Sequence, residues 1–192
     1  MGQAFVSPEE FCDVVQWLQS CDVSTLTAES VRTALDHLAA MSAWTESHKI
    51  SLVRRLQQLS QQSSAVSPTD ILAATHGGTR TEAKRTVARV STLDLVPQLN
   101  EALHTGAVSV AHIDAVTSAF SQLEDHERAQ VAERGDWINM VATHSTPDNF
   151  ARAVRHAVRQ LHNDEGLSVL ERQRKRTFLR HWVDRDSGMV CM

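Results

Sequence analysis

The residues best able to do chemistry in this sequence are cations at helical spacing. Arg80, Lys84, Arg85 and Arg89 lie on or beside one side of a helix. Side chains placed that way neutralise phosphates or reach base edges. The same four cations could equally be a solvated helix face. A second group, Arg172, Arg174, Lys175 and Arg176, precedes a β-prone stretch. Together with Arg152, Arg155 and Arg159 it forms a secondary candidate anion-binding surface, each neutralised phosphate adding a salt-dependent increment to affinity. Its plainer reading is a helix end whose cations complement the C-terminal dipole.

The other chemistry-bearing residues do not assemble into a catalytic pattern. The ten His are scattered singly; His156 and His162 are six apart, off a common helix face, and no H-E-x-x-H occurs. Asp184 and Asp186 form a carboxylate pair, but in Asp184-Arg185-Asp186-Ser187-Gly188 such residues favour the turn itself. No nucleophile elbow, P-loop or dinucleotide fingerprint is present. Gly77-Gly78 before a helix offers N–H groups to a phosphate, although a lone Gly pair is a weak signal. No catalytic residue, metal ligand set or cofactor is expected in this chain.

Charge is distributed unevenly. Net charge is −4 overall, with −3 over residues 1–62, −4 over 63–147 and +3 over 148–192. An anionic partner would therefore meet the C-terminal quarter most readily, and the whole chain is not a basic nucleic-acid binder. The odd number of cysteines (Cys12, Cys21, Cys191), with no C-x-x-C, points to thiols in a reducing cytoplasm and not to a disulfide framework. No signal peptide or membrane-spanning apolar run is visible.

The elements that must position these cations are helices. Seven Gly, four Pro and no Tyr, with abundant Ala, Leu, Gln, Glu and Arg, favour an all-α chain. Ser7-Pro8-Glu9-Glu10 signals a helix start, followed by Phe11, Val14, Val15 and Leu18 at helical spacing. A second helix is predicted from near Thr27 to Gln62, roughly 50 Å long. Its apolar stripe is Val31, Leu35, Leu38, Met41, His48, Leu52, Leu56 and Leu59, which must back the domain or pair with another chain. Ser67-Pro68-Thr69-Asp70 and Thr79-Arg80-Thr81-Glu82 open two short helices around His76-Gly77-Gly78. Further helices are predicted over 96–104, 110–122, 124–144 and 147–163, with Ser109 and Thr146 as caps.

Residues 70–89 have the layout of a helix-turn-helix. Ala73 would allow close helix contact, Gly77 would make the turn, and Ala83 and Val87 would face inward. His76 and Gly78 stand where apolar residues normally pack. After Gly166 the sequence turns basic and β-prone, and a hairpin of 177–183 with 189–192 is expected. So short an arm suggests a longer natural chain or a sheet completed elsewhere.

On these residues the sequence resembles the domain-of-unknown-function 222 family, N-terminal domains of actinobacterial proteins that often end in an HNH nuclease module. The matching stretches, in order, are Asp70–Ala74, Thr81–Arg85, Leu103-His104-Thr105-Gly106-Ala107-Val108-Ser109-Val110-Ala111-His112, Pro147–Arg152, Glu171–Arg176 and Asp186–Val190. Ile71 stands where the family usually has Trp, and Ile113 where it has Ala. Residues 70–112 are more loosely similar to the helix-turn-helix core of ParB-type partition proteins, with their Gly-x-hydrophobic-Ser-x-x-His stretch. The resemblance implies a nuclease-associated protein whose divalent metal would sit in a His-Asn-His module that is not in this sequence.

The expected architecture is therefore all-α: a multi-helix bundle with one long N-terminal helix, a helix-turn-helix-like core and a small C-terminal β-hairpin. The expected divisions are 1–62, 63–166 and 167–192. Two functions are expected as alternatives. One is a non-catalytic module positioning double-stranded DNA through Arg80, Lys84, Arg85 and Arg89. The other is a helical scaffold that homodimerises through the long helix and never touches DNA. The His112 side chain is expected to be structural, pinning the Gly106 turn.

Overall fold

The computed structural model describes residues 8–62, 67–75, 78–164, 182–183 and 190–191. Among them lie nine α-helices: α1 Pro8–Ser20, α2 Ala28–Gln62, α3 Pro68–Ala74, α4 Arg80–Leu95, α5 Pro97–His104, α6 Val110–Phe120, α7 Asp125–Ala132, α8 Gly135–Thr143 and α9 Pro147–Asp164. None of the described helices is long and apolar enough to cross a membrane.

The helix starts follow from side chains that satisfy orphan N–H groups. Thr27 Oγ1 accepts from the Ser30 N–H at 3.2 Å, and Ser67 Oγ accepts from the Asp70 N–H at 3.3 Å. Thr79 Oγ1 accepts from the Glu82 N–H at 3.1 Å, and Thr146 Oγ1 from the Asn149 N–H at 3.4 Å. One expected helix is two: residues 124–144 divide into α7 and α8. Arg134 leaves helical geometry (φ −90°, ψ 23°) just before Gly135, the weakest helix former of that stretch.

Residues Met1–Arg155 form one compact unit. Within this unit α2 lies against α3, α4 and α5, while α4 also meets α6 and α7, and α5 meets α8. The core is built from Ile50 and Val53 of α2, Val90 and Leu93 of α4, Leu99 and Leu103 of α5, Ile113 and Val116 of α6, Ile138 and Phe150, all but sealed from solvent.

The face of α2 that meets this core differs from the expected stripe. Ala40, Ala43, Ser47, Ile50 and Val53 are buried, whereas Val31, Leu35, Leu38 and Leu52 are 36–69% exposed and His48 is also exposed. Small side chains win because they let backbones approach closely. A Cβ on Gly106 would sit 3.1 Å from Ala40 Cβ, and Gly106 itself turns the chain at φ +75°.

The second unit, His156–Met192, contributes the end of α9 and a short antiparallel ladder, Trp182 opposite Cys191 and Val183 opposite Val190. Four residues of ladder do not establish the hairpin expected there. The rest of it lies outside the described residues, as do Ser7, Gly77 and the basic run Arg172, Arg174, Lys175 and Arg176.

Candidate nucleic-acid interface

The two short helices expected at residues 67–95 form and pack against one another. Gly78 closes the turn between them. Its N–H donates to the Thr75 carbonyl at 2.8 Å, and a Cβ there would lie 2.4 Å from the Leu72 carbonyl oxygen. A larger residue at Gly78 would push α4 away from α3. The position expected to hold an apolar side chain thus requires the absence of one. Ala83 is buried as expected; Ala73 and Val87 are half-buried.

Ala83, Thr86, Val90 and Leu93 bury one side of α4 at steps of three and four residues. The opposite side carries Arg80, Lys84 and Arg85, all exposed. Arg80 Nη2 donates to Asp70 Oδ1 at 3.0 Å, and Arg85 Nη1 to Glu82 Oε2 at 3.4 Å. Lys84 meets no carboxylate among the described residues.

Arg89 is a correction. Its side chain is 5% exposed and faces inward, seven residues from Glu82 and therefore on the same side of the helix. It donates to both oxygens of Asp114 on α6 (2.7 and 3.0 Å), to Glu46 on α2 (2.8 Å) and to Glu82 (2.8 Å). Burial lowers the guanidinium's affinity for its proton. The Asp114 hydrogen bonds and the charges of Asp114, Glu46 and Glu82 outweigh that and hold it above its ordinary value. Arg89 is unavailable to phosphate; it fixes α4 between α2 and α6.

Other contacts hold α4 in the same place. Arg54 of α2 donates to Asp94 at 2.8 Å, and the Thr92 and Thr117 hydroxyls meet at 2.9 Å across α4 and α6. Sequence reading missed Glu46 and Asp114 as partners. The available signal was the neighbourhood of Arg89, since Glu82, Thr86 and Leu93 all share its helix face.

The Gly106–His112 stretch is structural. Val108 is buried, and Ser109 opens α6. The Ser109 N–H donates to His112 Nδ1 at 3.1 Å, so the imidazole's proton belongs on Nε2, which donates to the Ser145 carbonyl at 3.1 Å. The ring rests on Phe150, centroids 5.4 Å apart. His112 therefore joins the α6 start to the α8–α9 junction, beyond the Gly106 turn expected of it. His112→Ala should destabilise the fold by about 2–3 kcal/mol, the sum of a lost cap and a stranded carbonyl. His112→Gln, a capping-box residue, should recover about 1 kcal/mol of it in urea denaturation.

Arg152, Arg155 and Arg159 are exposed on α9. Among the described residues no three His, Cys, Asp or Glu side chains converge to hold a metal ion.

The family model described as Domain of unknown function (DUF222) matches residues 25–192. No curated protein and no solved structure matches the chain.

Proposed function

The chain belongs to the DUF222 family, and from that premise we propose that it positions double-stranded DNA for an HNH-type nuclease, with Arg80, Lys84 and Arg85 of α4 facing the phosphates. The observation that carries this reading is the orientation of α4. Its three outward cations lie on the second helix of a tightly turned pair, and that helix is held from behind by Arg89. A rigid element displaying cations meets a duplex with little ordering cost. The looser ParB-type similarity of residues 70–112 supports the same reading. Cleavage, and the divalent metal it needs, would fall to a His-Asn-His module, a motif residues 1–192 do not contain. The exposed arginines of α9 and the run Arg172, Arg174, Lys175 and Arg176 would supply secondary phosphate contacts.

The test is an anisotropy titration of a labelled random-sequence duplex with the whole chain. Binding at low ionic strength that weakens steeply with salt supports the reading; no binding at low ionic strength refutes it.

A second reading rests on one observation. Val31, Leu35, Leu38 and Leu52 form an exposed apolar face along the 35-residue α2. Val31, Leu38 and Leu52 recur at multiples of seven residues, with Leu35 between the first two, so they share one side of the helix. Under this reading the chain is a scaffold that pairs through α2. Sedimentation equilibrium should then show a concentration-dependent dimer that Leu35→Glu/Leu52→Glu dissolves, whether or not DNA is present.

A further inference from the structure

We propose that Asp70 is an electrostatic gate on the cation face of α4, holding Arg80 in an ion pair that a duplex phosphate must displace. The inference rests on the DNA-positioning reading above and concerns how that same face is regulated.

Two of the three outward cations are already neutralised within the helix pair. Asp70 lies in the first turn of α3, and Arg80, the first residue of α4, donates to it across the Gly78 turn at 3.0 Å, both side chains well exposed. Arg85 faces Glu82, whose other oxygen is fixed by buried Arg89 at 2.8 Å; that carboxylate is pinned from behind and stays beside Arg85. Of these three cations, Lys84 alone has no carboxylate partner among the described residues.

For a generic polyanion, engaging Arg80 is thus an exchange of one carboxylate for one phosphate. It gains little unless the phosphate is better placed than Asp70. A partner whose phosphates match the spacing of Arg80, Lys84 and Arg85 makes the exchange with profit, while a poorly matched one does not. Asp70 therefore lowers indiscriminate binding more than it lowers matched binding.

Asp70 is the residue to change, because Glu82 also holds Arg89. The experiment is a double-mutant cycle on the full chain: wild type, Asp70→Asn, Arg80→Ala and the double variant, each titrated against the labelled random-sequence duplex at low salt. Asp70→Asn should tighten binding about three- to five-fold, the upper range for releasing an exposed ion pair, and the gain should shrink as salt rises. In the Arg80→Ala background the gain should vanish. No gain from Asp70→Asn, or an equal gain in both backgrounds, overturns the gate; an equal gain would mean that Asp70 acts only through the general field. If none of the four chains binds, the DNA reading itself fails and the gate falls with it.

Discussion

Replacing Arg89 with Met should lower the unfolding free energy by about 3–5 kcal/mol, the cost of stranding buried charges by removing their partner. The guanidinium is the one cation shared by Glu46, Glu82 and Asp114, and it ties α2, α4 and α6 together. Glu82 and Asp114 are 40% and 36% exposed and can hydrate once released, whereas Glu46 is only 14% exposed. The loss should therefore fall near the lower end of that range. It should be eased by adding Glu46→Gln, which removes the carboxylate with least access to water. Arg89→Lys should not restore stability, because a single ammonium cannot make the paired contacts to Asp114 together with those to Glu46 and Glu82. Urea denaturation measures all of these; a loss below about 1 kcal/mol for Arg89→Met would place the side chain at the surface after all.

The combined change Arg80→Ala/Lys84→Ala/Arg85→Ala should do the reverse: little to stability and much to binding. All three side chains are exposed, so unfolding should shift by less than about 1 kcal/mol. If each meets one phosphate, together they contribute a log–log salt slope of about −2.7, and removing them should cost more than about a hundred-fold in duplex affinity at low salt. The contrast with Arg89 makes the pair of experiments informative. Four cations within ten residues of one another divide into three that face outward and one that serves the fold.

That division shows what the sequence can and cannot reveal. Helix starts were legible because capping is local: Ser67, Thr79 and Thr146 accept from N–H groups three residues on. The long helix was legible because nothing interrupts it. The inward face of α2 was not. Large apolar residues dominate any periodicity count, yet Ala40 and Ala43 pack inward because close backbone approach demands small side chains there. Arg89 was misassigned for a related reason. Spacing gives the side of a helix but not what lies across from it, and its partners Glu46 and Asp114 are 43 and 25 residues away in the chain. Gly78 looked like a defect in a helix-turn-helix until the Leu72 carbonyl appeared where its Cβ would be.

The measurement closest to the central claim is the slope of log affinity against log salt, taken over about 50–200 mM for the wild type and the Arg80→Ala/Lys84→Ala/Arg85→Ala variant. Outward cations on α4 that touch DNA predict about a forty-fold loss for the wild type across that range from these three contacts alone, and a slope shallower by about 2.7 in the variant. Parallel slopes for the two chains would contradict the account, leaving α4 a packing element and the exposed leucines of α2 as the surface to pursue.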